Sequence, residues 1–334
     1  MTQKYNPRAR MATVSPVSMT KAERANQRNA VLAGFLGWTL DAFDFFVLTF
    51  VIEDVATAFG RSRPDIALTI TLALAMRPIG ALVFGMIADR YGRRLPLMLN
   101  VISYAVISVL SGLAPSYQVF LILRMLFGIG MGGEWGVGAS LALESVSPRL
   151  RGLLSGLLQE GYAMGNLLAA LAFRAVYVPV HAAHPDYAWR VMFFIGGLPA
   201  LLSLFIRAKV KESEAWREHR TDWATYRRSI FQHWPRFLYL VLLMTMMNFM
   251  SHGTQDMYPT FLQRQRQYTP ADTANLTMIS NLGAIVGGLC FGYFSDVKGR
   301  RRAMITASVG ALLLVPLWIA APNTALIALG GFLI

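Results

Sequence analysis

The chain has 334 residues, 55% of them hydrophobic and only 15% charged, with a formal net charge of +13. A soluble domain of this length rarely carries so few charges. The basic excess would suit nucleic acid, but it is gathered in alternate loops between apolar runs, which is the pattern of membrane topology.

Taken in order, a tail carrying Lys4, Arg8, Arg10, Lys21, Arg24 and Arg28 precedes an apolar run that begins near Ala30. The run is too long for a cleaved secretory signal, so residues 1–29 read as a tail and the run as an uncleaved first span. Six spans are expected, at 31–52, 66–87, 96–113, 118–141, 152–177 and 190–206, each long enough to cross a hydrocarbon core of about 30 Å. A charged segment, 207–235, holding Trp216, Trp223 and Trp234, separates this half (30–206) from a second one (236–334). That second part offers spans at 236–258, 274–293 and 303–321, and a tenth apolar run opens near Thr324. Arg90, Arg93, Arg94, Arg149, Arg151, the central segment and Lys298 to Arg302 all fall on the amino-terminal side. The opposite loops hold chiefly Arg61, Arg63, Arg264 and Arg266. The positive-inside rule therefore expects a multi-pass inner-membrane protein with a cytoplasmic amino terminus. The single cysteine, Cys290, excludes an intrachain disulfide.

Charges inside the spans are the next signal, because an ionisable group at membrane depth is costly and faces a wet interior. Asp41 and Asp44 lie in span one, Arg124 and Glu134 in span four, and His252 and Asp256 in span seven, whereas spans three, six and nine carry none away from their ends. Spans one, four and seven are thus expected around a cavity. Asn248, His252 and Asp256 recur every four residues and share one helix face. His252 titrates near neutral pH and Asp256 one turn away biases its charge, which suits a proton-coupled step. The alternative is a polar helix end wetted at the outer surface. Arg77, before Pro78 in span two, either captures a carboxylate with its planar fork or pairs permanently with Asp41 or Asp44. Glu134, on a glycine-rich helix, is a second proton-site candidate. Glu160 and Arg124 read equally as packing ion pairs or as groups near a water-filled edge.

A repeat divides the chain. Gly85-x-x-Ala-Asp89-Arg90-x-Gly92-Arg93-Arg94 follows span two, and Gly292-x-x-Ser-Asp296-x-x-Gly299-Arg300-Arg301 follows span eight. Matched loops in equivalent places of two units mark a duplicated transporter. Gly85 suits close helix approach, Gly92 a tight turn, and Asp89 can cap the start of a helix in the other half. There is no phosphate-cradling loop, metal-spaced Cys/His cluster or nucleophile elbow, so nothing in the sequence speaks for an enzyme.

The paired loops resemble the signature of the major facilitator superfamily. Arg124-x-x-x-Gly128-x-Gly130-x-Gly132-Gly133 is similar to its fourth-span motif. Glu144 with Arg151-Gly152, and Glu212-Ser213-x-x-Trp216, resemble its sugar-porter loops. Asn248-x-x-Ser251-His252-x-Thr254-Gln255-Asp256-x-x-Pro259-Thr260 resembles lactate and pyruvate permeases of the sialate:proton symporter branch. The resemblance implies an all-α polytopic fold of two six-helix halves. It further implies a monomeric proton symporter of a small organic anion, lactate or pyruvate first, with the proton as coupling ion, no other cofactor, and lipid rather than nucleic acid around it. Proton coupling would fall to His252, Asp256, Asp41, Asp44 and Glu134, and substrate contact to Arg77, Asn248, Ser251, Gln255 and Arg124. The two loops, Gly85, Asp89, Arg90, Gly92, Arg93 and Arg94 with Gly292, Asp296, Gly299, Arg300 and Arg301, would gate. Asp89 would hold against an eleventh span and Asp296 against the start of span five, around Arg151 and Gly152. Since twelve spans are implied and the sequence closes on apolar Gly330 to Ile334, the second half is expected to be incomplete and the protein longer. The alternatives are a sialic acid, other organic acid or sugar symporter, and a transport-inactive nutrient sensor.

Overall fold

Polar caps fix where the helices begin. Thr20 and Ser62 each close a capping box, with Glu23 and Asp65 respectively, and Ser116, Thr269 and Asn323 each accept a bond from a main-chain amide three residues on. The computed structural model describes residues 20–147, 150–213, 216, 228, 232–255 and 258–334. Of these, 207, 248–255, 259–260, 263, 270–271 and 274 are described in backbone alone. All regular structure among the described residues is helical.

The first span is α1 (Lys21–Phe50), followed by the short α2 (Ile52–Ala58). Spans two, three and four are α3 (Arg63–Tyr91), α4 (Arg94–Gly112) and α5 (Tyr117–Glu144). The fifth is segmented: α6 (Arg151–Gln159), α7 (Gly161–Ala172), a π turn (Phe173–Tyr177) and α8 (Val178–Ala183). The sixth is α9 (Pro185–Ile195) and α10 (Ala200–Lys209), parted by turns at 196–199. Beyond the central segment come α11 (Trp234–Gln255), α12 (Tyr258–Arg264), α13 (Pro270–Lys298), α14 (Arg300–Ala320) and α15 (Thr324–Leu333). Eight of the described helical stretches are long and apolar enough to cross a membrane, while Trp234–Met247 and Thr324–Leu333 are shorter apolar helices. Large apolar side chains such as Leu82, Leu312 and Leu313 stand outward on α3 and α14, as a lipid-facing surface requires.

Between membrane helices the packing force comes from close backbone approach. The glycines of α5 supply it. A Cβ at Gly128 would overlap the Ala73 carbonyl of α3, one at Gly132 the Arg77 carbonyl, and one at Gly80 of α3 the Ile129 carbonyl. The fourth-span glycine motif is therefore a packing face against span two. Span one is wrapped by α4, α5, α6, α7, α9 and α10, and its Ala33, Phe43, Val47 and Leu48 are buried in the main core. A second core, around Tyr258, Leu262, Leu276, Trp318 and Ile327, joins α12 to α15, with the Tyr258 and Trp318 rings stacked at 4.9 Å.

Candidate functional site

Four charged side chains sit in the middle of the first six spans with almost no solvent contact: Asp41 and Asp44 at 0%, Glu134 at 0% and Arg124 at 2% exposure. Asp44 accepts a hydrogen bond from the Ser108 hydroxyl at 2.5 Å, and that hydroxyl also lies 3.3 Å from the Phe193 carbonyl. Arg124 donates to the Ser111 hydroxyl at 2.6 Å, and its guanidinium lies 4.3, 5.0 and 5.7 Å from the ring centres of Phe127, Phe193 and Phe120. Three rings thus enclose this cation on their negative faces. Arg77 is half-buried, donates to the Met131 sulfur at 3.2 Å and lies 5.4 Å over the Phe45 ring.

Arg77 acts electrostatically on Asp41 and Arg124 on Asp44, and Asp41 is in turn within the field of Asp44 and Glu134. Neither pair closes to ion-pair distance among the described residues. Among the described residues, both oxygens of Asp41 and both of Glu134 lack a hydrogen-bond partner, as do the Asn100 amide and the Tyr104 hydroxyl. Glu134 faces α1 across Gly37, where a Cβ would occupy the place of its carboxylate. A fully buried acid without a donor calls for an explanation, and exchange of a proton or of a ligand is the chemistry such a group can do.

A second constellation lies at the end of the bundle bearing the basic loops. Arg93 bonds Asp89 at 2.5 Å and reaches Glu144 at 3.4 Å, while the Glu144 carboxylate also accepts from Ser213 at 2.5 Å. The Glu212 carboxylate accepts from the backbone amides of Arg93 at 2.7 Å and Arg94 at 3.2 Å, and the indole of Trp216 donates to the Asp89 carbonyl at 2.8 Å. Burial alone would lower the Arg93 pKa, but the bonds and charges of Asp89 and Glu144 outweigh it and hold the guanidinium above its ordinary value. Arg90 lies 5.4 Å over the Tyr91 ring. In the second loop, Asp296 accepts from the amides of Gly152 and Leu153, both at 3.0 Å, at the start of α6. Gly292 packs on the Gly152 carbonyl, and Arg300 and Arg301 are exposed.

The structure thus brings together Asp41, Asp44, Arg77, Arg124 and Glu134, and separately the loop residues. Asn248, Ser251, His252 and Gln255 fall on α11, where only the backbone is described, and Asp256 lies outside the described residues. Gly85 meets no neighbour among the described residues, so no close helix approach uses it there. Asp89 is engaged by Arg93 of its own loop. Missing from the sequence reading were Asn100, Tyr104, Ser108 and Ser111, all from span three, and Gln159, which accepts a bond from Trp135 at 3.2 Å. Their signal was available: neutral polar groups in an apolar span.

A family model described as Major Facilitator Superfamily matches residues 34–334. The probable 4-methylmuconolactone transporter of Cupriavidus pinatubonensis is 33% identical over 321 residues, covering 94% of this chain and 74% of the relative. The sialic acid transporter NanX of Escherichia coli is 31% identical over 310 residues, covering 91% and 74%. Among solved structures, the proton:xylose symporter XylE bound to 6-bromo-6-deoxy-D-glucose superposes with a TM-score of 0.73 at 19% identity, over 93% of this chain and 79% of that one.

Proposed function

The chain belongs to the Major Facilitator Superfamily, a family of multi-pass membrane transporters rather than enzymes, and from that premise we propose that it is a proton-coupled symporter of a small organic anion. The observation that carries this reading is the set of three buried carboxylates, one buried arginine and one half-buried arginine in the first six spans. Relatives named for sialic acid and 4-methylmuconolactone support an organic acid as cargo. The span-seven motif supports a monocarboxylate such as lactate or pyruvate. In this reading the basic loops face the cytoplasm, the boundary between the halves lies at 207–235, and the protein is a monomer in the inner membrane.

Each group has a defined task. Arg77 is half-buried and held among the described residues by a sulfur and a ring, so it can turn its fork to a carboxylate. Asp41, its electrostatic partner, takes a proton as the anion claims Arg77. Glu134, Asp44, His252 and Asp256 are the further proton-exchange candidates. Loaded with proton and anion, the carrier rocks its halves about the site and releases both on the other side.

The test is uptake by the purified protein in proteoliposomes of lactate, pyruvate and sialic acid, with internal pH recorded. Acidifying the outside should drive accumulation of at least one anion with matching proton entry. Arg77→Lys should raise its half-saturation concentration by about tenfold, the worth of roughly 1.4 kcal/mol of lost bidentate contact. Accumulation indifferent to the proton gradient would overturn the coupling. An unchanged half-saturation concentration would make Arg77 structural.

A further inference from the structure

Two helices from opposite parts of the chain meet along a face without side chains. On α6 and the residue that ends it, positions 152, 156 and 160 are Gly, Gly and Glu; on α13, positions 288, 292 and 296 are Gly, Gly and Asp. The two series run antiparallel. A Cβ at Gly152 would overlap the Asp296 carboxylate, one at Gly156 the Gly288 carbonyl, one at Gly292 would crowd the Gly152 carbonyl, and one at Gly288 would overlap the Glu160 carboxylate. Each helix therefore lays its acid on the first glycine of the other.

The two acids are not equivalent. Gly152 opens a helix, so Asp296 finds two free amides at 3.0 Å. Gly288 lies in the middle of α13, where each amide is already spent on the helix. Glu160 is 8% exposed and its carboxylate has no hydrogen bond or ion pair among the described residues. It sits at the break between α6 and α7. Charged groups on the helices packed around it include Asp41 and Asp44 on α1, Arg124 and Glu134 on α5, Arg151 on α6, and Asp296 and Lys298 on α13; among the described residues none forms an ion pair with Glu160.

We propose that Glu160 is a positioning residue for closure of this seam, and that the seam shuts only while the Glu160 carboxyl is uncharged. The inference rests on the proposed rocking of the two halves. Neutral, the carboxyl lies against the Gly288 backbone; ionised, it would be largely withdrawn from water with neither donor nor cation among the described residues. When the seam parts, water reaches Glu160 and the carboxyl gives its proton to that water, and reclosure waits until a proton returns. The pH on the side to which the seam opens thereby sets how long the carrier stays open, separately from the proton carried with the anion.

Spin labels at Ser155→Cys and Val297→Cys, in a Cys290→Ser background, report the α6 to α13 distance in the full chain reconstituted in lipid. The closed-to-open ratio should fall as pH is raised from about 5.5 to about 8, by up to about tenfold per pH unit, the ceiling for one linked proton. Glu160→Gln should keep the seam closed at both pH values. Gly288→Ala, which places a methyl group where the carboxyl rests, should hold it open at both. A parent protein whose ratio ignores pH, or a Glu160→Gln variant that keeps the parent's response, overturns the proposal. Anion uptake by the same labelled samples separates the two ideas: uptake with a pH-indifferent seam overturns the role of Glu160 alone, and a pH-responsive seam with no uptake of any anion overturns the transport reading while supporting Glu160.

Discussion

After Asp89 the chain turns through Gly92 at φ 100°, and after Asp296 it turns through Gly299 at φ 92°. Both turns use a conformation open in practice only to glycine, and both launch the next helix at once. What surrounds them differs. In the first loop Glu212 fills the cradle of amides behind Gly92, and Asp89 is tied to Arg93 beside it. In the second loop a Cβ at Gly299 would meet nothing among the described residues, and Asp296 reaches away to the start of α6. Among the described residues one sequence pattern thus makes two sets of contacts. The first copy is stapled to the start of the central segment. The second ties two parts of the chain together through bonds that relative motion must break.

The largest expected effect comes from the turns. Gly92→Ala and Gly299→Ala each force a side chain into a strained conformation, at about 1–3 kcal/mol. At Gly92 the new Cβ would also expel Glu212, adding roughly 1.5–3 kcal/mol for bonds to a charged group. Thermal unfolding in detergent should therefore show Gly92→Ala clearly lower in Tm than Gly299→Ala; equal losses would mean that Glu212 does not hold the first turn. Next comes the tie itself. Asp296→Asn should speed hydrogen exchange at the Gly152 and Leu153 amides by about tenfold or more, whereas Asp89→Asn should leave the Arg93 and Arg94 amides protected by Glu212. Faster exchange at both pairs would erase the distinction between stapled and bridging loops. The smallest effect is expected of Glu144→Gln, which leaves the Arg93–Asp89 pair intact and should cost only about 0.5–1 kcal/mol, shrinking further in high salt. A loss several times larger would make Glu144, rather than Glu212, the centre of the first loop.

Much of this was legible in the sequence because membrane depth makes each polar residue conspicuous. Asp41, Asp44, Arg124 and Glu134 stood out as charges in apolar runs, and they are buried together. The position of Asp296 at Gly152 followed from the family resemblance that the repeat carries. A search confined to charges passed over span three, which contributes Ser108 to Asp44 and Ser111 to Arg124. Glu212 and Ser213 were visible as a motif, but their task depends on the central segment folding back onto Gly92, which no local pattern encodes. The interruption of the fifth span was also hidden. Its π turn carries Phe173 and Tyr177, stacked at 4.4 Å, and Tyr177 donates to Asp54 of α2. Those are tertiary contacts, and the helical period of the sequence does not change there to announce them.

The ring cage around Arg124 bears on how the protein tells one acid from another. A guanidinium held by Phe120, Phe127, Phe193 and Ser111 cannot swing out to grip a ligand. On the proposed transport reading it would act as a fixed electrode. Its charge is shared with Asp44, so an anion would feel it in full only while the Asp44 carboxyl carries a proton. On that reading such a field would sort by sign alone, favouring acids over amines while Asp44 is neutral. Selection among acids then belongs to groups that can move, and any variant that loosens the cage should change how much enters before it changes which molecule does.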